Sequence, residues 1–240
     1  RKCNNRMSAI KVDSISARAG TGTVSLPSGN NLSVAGTSTL TGNTSVGGNL
    51  AVTGNLTVSG TNNIAGAGSV LETLTSLADG STVTVGSGSY TFENVTAYQD
   101  IVLGSGNTTV TGSTISYTPP AGTTRVVYEF CFNVTPLSSY AYFHARLEID
   151  GSEVTNSRRS YVPYSSNAPV FRFVIDCNAS SDSTAFGRFT SWTSAKTLRL
   201  GGRGNNSGSQ AARIHGATNW DGNSTDIYLS PPILTITAIK

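Results

Sequence analysis

The sequence predicts an all-β chain: a Gly-hexad trimeric β-helical shaft, a short neck helix, and a C-terminal antiparallel β-sandwich head of jelly-roll type. Three observations carry this expectation. Glycine recurs at Gly36, Gly42, Gly48, Gly54, Gly60 and Gly66, every sixth residue, which chance rarely produces at the usual ~7% glycine frequency. From residue 81 onward, stretch after stretch alternates apolar and polar residues, the period of a strand with one wet face. Only 12% of residues are charged, against about 25% in ordinary soluble domains, so hydroxyls and amides rather than ions meet the water.

Residues 1–30 form the first segment. Residues 1–18 hold five Lys/Arg and one Asp, a charge of +4; the whole chain is +3, so the other 222 residues sum to −1. A nucleic-acid binder spreads positive charge along a groove or face, so the basic end is expected to dock on a protein partner. The chain begins at Arg1, while Met7 opens "MSAIKVDSIS", which has the look of a natural start. No apolar run approaches the ~20 residues of a membrane-spanning helix, and no signal-peptide pattern is visible, so membrane insertion is not expected. Asn-x-Ser/Thr triplets such as Asn55-Leu56-Thr57 recur, as composition alone produces them in a chain so rich in these residues.

Residues 31–66 carry the hexads. Two residues before each glycine stands Val34, Leu40, Val46, Val52, Val58 or Ile64. Six is a multiple of two, so strand alternation runs through all six repeats without changing face. No charged residue occurs between Ala19 and Leu71. One chain offers too little apolar surface per repeat to bury a core alone. Folded on itself as a three-sided helix, it would give two coils with open edges, a hazard that proteins avoid. Three chains winding together supply one side each, so a homotrimer is expected, with those six aliphatic residues as the shaft core.

Residues 67–80 are expected to be the neck. Val70, Leu71, Leu74, Leu77 and Ala78 follow helical spacing, Ser69 with Glu72 fits a capping box, and Gly80 fits the residue just past the end.

Residues 81–240 are expected to be the head. "STVTVGSGSYTFENV" suggests a hairpin. Val126, Tyr128, Phe130, Phe132 and Val134 share one strand face after a Pro-Pro-Ala-Gly turn. Ala141, Phe143, Ala145, Leu147 and Ile149 share another, closed by an Asp150-Gly151 hairpin turn. "APVFRFVIDC", "AKTLRLGGRG", "AARIHGATN" and "PPILTITAIK" supply further strands. Such a count points to an antiparallel sandwich, with the last strand lying centrally.

The opening "MSAIKVDSISARAGTGTVSLPSGNNLSVAG" resembles that of structural proteins from marine and cyanobacterial tailed bacteriophages. The close, "RIHGATNWDGNSTDIYLSPPILTITAIK", is similar to the last strands of such proteins' heads, which resemble the trimeric tumour-necrosis-factor-like jelly roll. The resemblance covers about half the chain. It implies a virion protein, a trimeric tail fibre held to another virion protein by its N-terminus and attached to a host surface glycan or protein by its head. A capsid-decorating (cement) or head-fibre protein, a bacterial trimeric adhesin and a tailspike hydrolase are the alternatives.

Catalysis is not expected. The head's acids have ordinary places: Asp150 in a turn, Glu129 and Glu148 on outer strand rows, Asp182 in a Ser-rich loop. No Gly-x-Ser-x-Gly elbow occurs. No metal or cofactor is expected: "DGNSTD", Asp221 to Asp226, lacks the register and distal Glu of a calcium loop, and His144 and His215 stand alone. Cys3, Cys131 and Cys177 lack ligand spacing, and buried free thiols are expected at Cys131 and Cys177, with one disulfide between them as the alternative. Recognition residues are sought instead among Tyr, Trp and Arg, which anchor interfaces and stack on sugars. The loop "NSRRSYVPYSSN" supplies Arg158, Arg159, Tyr161 and Tyr164 as candidates for receptor binding, and Trp220 with Asp221 closes another loop. Tyr140, Tyr142, His144 and Arg146 lie on one strand face and are candidates for the trimer interface of the head.

Overall fold

A computed structural model describes residues 33–41, 44–47, 50–54, 67–102, 107–204, 210–218 and 227–240. The chain divides into two units, Arg1–Val58 and Ser59–Lys240. In the first, no strand forms among the described residues. The aliphatic residues of the hexads stand open to solvent there: Val34 is 51% exposed, Leu40 70%, Val46 52% and Val52 46%. Val58 and Ile64 lie outside the described residues.

The second unit is nearly all β. In chain order its described strands are β1 (Val70–Leu77), β2 (Thr82–Val85), β3 (Gly88–Thr91), β4 (Gln99–Ile101), β5 (Thr108–Thr109), β6 (Ile115–Tyr117), β7 (Arg125–Cys131), β8 (Val134–Pro136) and β9 (Phe143–Ile149). They continue with β10 (Ser152–Glu153), β11 (Arg159–Tyr161), β12 (Val170–Asp176), β13 (Lys196–Arg203), β14 (Ala212–Ile214), β15 (Gly216–Thr218), β16 (Ile227–Leu229) and β17 (Ile233–Ile239). Two short 3-10 turns, Thr155–Ser157 and Thr184–Phe186, interrupt the strands. No described helix is long and apolar enough to cross a membrane.

A four-stranded sheet runs β1-β17-β7-β12 and a six-stranded one β10-β9-β13-β5, with β11 added to β9 and β6 to β13. Their ladders are antiparallel. The two predicted inward rows meet in one core: Val126, Tyr128, Phe130 and Phe132 on one side, Ala145, Leu147 and Ile149 on the other, all almost fully buried. Phe132 meets Phe143 edge-on at 5.7 Å between ring centroids. Two antiparallel sheets with inner faces in one cluster, and no closed barrel among the described strands, are consistent with a β-sandwich. The last strand, β17, lies between β1 and β7, as expected. The turn signals hold too: Asp150 and Gly151 take φ of 50° and 77°, the left-handed pair that a two-residue hairpin requires.

The neck helix is corrected. Residues 70–77 form a strand, β1, in register with β17 from Glu72↔Ala238 to Leu77↔Ile233. "VLETLTSL" satisfies both periods, since Leu71, Leu74 and Leu77 fit a helix while the sequence also alternates around Thr73 and Thr75. Three helical turns gain little alone, whereas the strand gains a full ladder on β17 and buries Leu74 completely. Glu72 therefore caps no helix. Its carboxylate accepts hydrogen bonds from Tyr117 Oη (2.7 Å) and from the Ser87 amide (3.0 Å).

Both described cysteines are free thiols, Cys177 buried and Cys131 half-buried. Burial pushes the Cys177 thiol up to about 12, so it is inert as a nucleophile at neutral pH.

Candidate functional site

The outer face of the six-stranded sheet collects most of the candidate residues. Three strands make it, because β9 is flanked by β11 on one side and β13 on the other. Register then fixes the rows. Ser160, His144 and Arg203 lie side by side across the three strands, and Gly201 sits opposite Arg146. Beyond them Glu153, Glu148 and Arg199 form a third row.

Glu148 was expected on a wet outer row. It does lie on that face, yet only 4% of it is exposed, because guanidinium groups cover it. Its Oε1 accepts from Asn107 Nδ2 (2.7 Å) and from Arg146 Nη2 (2.9 Å), and its Oε2 accepts from Arg199 Nε at 2.8 Å. Arg146 also reaches Glu153 with Nη1 (2.6 Å), and Arg158 Nε donates to the other oxygen of Glu153 at 2.5 Å. The Arg158 hydrogen bond, with Arg146 nearby, holds the Glu153 carboxyl below the usual carboxylate range. At Gly201 a Cβ would collide with the Asn107 amide and push that side chain away from Glu148.

Two cations remain over. The Arg159 guanidinium donates only to the backbone carbonyls of Asn156 and Arg158, and the Arg203 side chain makes no hydrogen bond or ion pair among the described residues, although its charge acts on Glu153 and His144. Four guanidinium groups, of Arg146, Arg158, Arg199 and Arg203, thus lie around two carboxylates on this face, while Arg159, opposite Ala145 in the ladder, shares the parity of Tyr161 and borders the same cleft. Between them lies a cleft of about 390 Å³, lined by Asn107, His144, Arg146, Arg158, Arg159 and Arg203. The volume falls within the ~300–1,000 Å³ usual for small-molecule sites. Partial burial and the Arg203 charge both lower the pKa of His144, so the ring is neutral at pH 7. Its Nδ1 lies 2.8 Å from Ser160 Oγ.

An aromatic row leads away from the cleft. His144 stacks with Tyr142 (6.2 Å, 14°), Tyr142 meets Tyr140 edge-on at 5.7 Å, and Tyr140 meets Tyr164 at 5.8 Å. Tyr164, from the Pro-containing loop, is 78% exposed. The strand row and the loop, assigned separately from sequence, are therefore one continuous surface. Tyr161 is corrected: it turns inward, stacking on Phe143 (6.0 Å, 19°) and meeting Phe132 edge-on. Pairing with Phe143 in the ladder gives it the core-facing parity. Trp220 and Asp221 lie outside the described residues.

Sequence reasoning missed Arg203 and the neighbouring Asn107. In "TLRLGGRG" the outward parity of Arg199 and Arg203 is visible, but the register against β9, which sets Arg203 beside His144, is not. Among the described residues no cluster of three His, Cys, Asp or Glu could hold a metal ion. His215 is fully buried, as a core histidine, edge-on to Phe130 at 6.2 Å.

No protein-family model matches the sequence, and no curated protein matches it. Among solved structures, the sugar-binding C-terminal domain of EclA aligns with 50% of this chain and 74% of its own, at 12% identity and a TM-score of 0.30. Infectious bursal disease virus, Gx strain, aligns with 70% of this chain at 11% identity and a TM-score of 0.31, and the VP2 subviral particle of that virus does so at 15% and 0.31. The chain spans 37% of each of those viral chains. Likenesses of this size fix neither fold nor function, and the chemistry of the site is that of its own residues.

Proposed function

We infer that the chain is a homotrimeric virion fibre, a bacteriophage tail fibre in its simplest form, that attaches the particle to a host-cell surface by its head without catalysis. One observation carries this: the regular row Val34, Leu40, Val46 and Val52 is left about half or more exposed in the single chain, within a segment free of charge. An evenly spaced apolar row invites copies of itself, and three such chains close a β-helical shaft with no free edge. In this reading residues 1–30 dock on another virion protein and the head winds as a jelly roll, in keeping with its central final strand. Three heads presented together raise avidity without new contacts.

The trimer also asks for a contact between heads. The outer face of the four-stranded sheet suits it: Leu77, Ile233, Cys131 and Val170 form one cross-strand row, with Leu77 46%, Ile233 42% and Val170 49% exposed. That leaves Tyr140, Tyr142, His144 and Arg146, first expected between subunits, to act with the loop in recognition. Glu148 and Glu153, the adjacent carboxylates, are each held by arginines. Sedimentation of the purified chain should give one species of about three times 24.9 kDa. A folded monomer overturns the fibre. A trimer found lying flat on the capsid lattice, by imaging whole particles, selects the cement protein instead.

A further inference from the structure

We propose that the cleft beside His144 binds the anionic group of an acidic saccharide, a carboxylate or a sulfate ester, while the sugar rings lie along Tyr142, Tyr140 and Tyr164. The proposal rests on the head being the recognition end of the fibre.

Charge comes first. A guanidinium already paired with a carboxylate has little left for a ligand, and three of the five here are so paired: Arg146, Arg158 and Arg199. Arg159 and Arg203 are not, and both line the same cleft. Arg203, on the outer row with His144, offers two parallel N–H donors to a planar carboxylate or a tetrahedral sulfate, and Arg159 adds a second guanidinium without a carboxylate partner at the border of the same cleft. Ser160 and the neutral His144 ring add hydroxyl and imidazole groups beside them. The paired arginines supply the frame: Glu148, buried and bonded to Asn107, Arg146 and Arg199, pins the floor of the cleft.

Shape comes second. A lone anion would need only the cleft. The aromatic row extends the surface through the half-buried Tyr142 and Tyr140 to the exposed Tyr164, and tyrosine rings in such a row are platforms for the apolar faces of pyranose rings. Gln210 Nε2 donates to Tyr140 Oη at 2.6 Å, fixing that ring within the row. An acidic saccharide uses both parts at once, whereas a free inorganic anion uses one and a neutral saccharide the other.

The test is calorimetric titration of the chain with oligogalacturonate, which carries carboxylates alone, a carrageenan oligosaccharide, which carries sulfate esters and no carboxylate, a neutral maltooligosaccharide and sodium sulfate. At least one acidic oligosaccharide should bind tenfold or more tighter than the neutral one, and weaken as salt rises. Which of the two does so identifies carboxylate or sulfate as the source. Arg203→Ala and Arg159→Ala should each weaken that binding about tenfold or more, with melting temperature nearly unchanged because neither side chain forms an ion pair. Tyr164→Ala should weaken the oligosaccharide several-fold and leave inorganic sulfate untouched. Equal binding of acidic and neutral sugars, or no loss in Arg203→Ala, overturns the proposal. So does dissociation of the Arg203→Ala trimer, which would make the cleft a subunit contact. Sedimentation of the same samples separates the two failures: a trimer that binds no acidic sugar sinks this site alone, and a monomer that binds it sinks the fibre alone.

Discussion

The hexad segment and the head use the same strand alternation, yet they leave their apolar residues in opposite conditions. In the head, the row Val126, Tyr128, Phe130 and Phe132 is sealed by a second row from β9 and by neighbours such as Phe171. In the hexads, Val34 to Val52 stand open. Alternation specifies a face, but not what covers it. The head holds both halves of its sandwich in one chain, while no described hexad residue covers the apolar row from Val34 to Val52. A folded head is therefore expected at any concentration, and an ordered hexad segment only in the assembly.

The largest effect should come from charge placed in the hexad row. Val52→Asp would set three carboxylates together near the proposed axis, and each desolvated, unpaired charge costs several kcal/mol. Trimers should be lost at concentrations at which the unaltered chain remains fully assembled, as read by sedimentation. Thr53→Asp, on the opposite parity, should leave assembly nearly unchanged. Equal effects would mean that the facing is wrong.

The matching change in the head is Phe130→Ala. Phe130 is fully buried and stacks on Phe132 at 5.2 Å. Removal should cost about 3–5 kcal/mol, the usual range for a core Phe, in chemical denaturation of the head. The loss should not vary with protein concentration, whereas that of Val52→Asp should.

How far the sequence could be read follows the same division. Alternation and turn chemistry are local, so the rows of β7 and β9 and the Asp150-Gly151 turn were visible in advance. The nature of residues 70–77 was not, because "VLETLTSL" fits both periods and the deciding partner, β17, lies some 160 residues away. Register hid the site in the same way. Arg158 and Arg159 could be picked out by residue type, but placing them around one cleft with Arg203 takes the pairing of β11, β9 and β13. Tyr161 went astray because an aromatic residue in a loop-like stretch carries no mark of the parity that turns it inward.

Acid should separate the two regions next. No ionisable side chain lies between Ala19 and Leu71, so titration there cannot weaken a hexad shaft. The head holds His215, whose burial lowers its pKa to about 4. Its Nε2–H donates to the Thr111 carbonyl at 2.9 Å, and Nδ1 has no partner among the described residues. Its unfolded value is near 6.5, so between pH 6.5 and 4 the unfolded chain binds the proton more readily and the head loses stability as pH falls. A shift of this size corresponds to about 3 kcal/mol at 1.36 kcal/mol per unit. His144 shifts in the same direction and adds a smaller loss. Glu153, Asp79 and Asp182, whose values are lowered, act in a lower window, below the ordinary carboxylate pKa near 4. His215→Asn, which tolerates the φ of 66° at this position, should flatten most of the slope between pH 6.5 and 4. A slope that persists would place the titrating group elsewhere.

The smallest effects lie in the head's ion pairs, which the hexads lack altogether, and burial should decide their size. Glu148 is covered and accepts from Asn107, Arg146 and Arg199, so Glu148→Gln leaves a neutral amide among cations with one acceptor fewer. Removing one member of a buried pair typically costs ~3–5 kcal/mol. Arg146 and Arg199 keep side-chain exposures of 29% and 37%, and water repays part of that loss. About 1–3 kcal/mol is expected. Glu129 pairs with Arg172 on the outer face of the other sheet, where the arginine side chain is 66% exposed, and Glu129→Gln should change stability by at most about 0.5 kcal/mol. High salt should erase what little that pair contributes and leave most of the Glu148 effect in place. If the two substitutions cost the same in urea denaturation, the arginine frame does not exclude water, and the cleft it supports would lose the rigid floor on which an anion site depends.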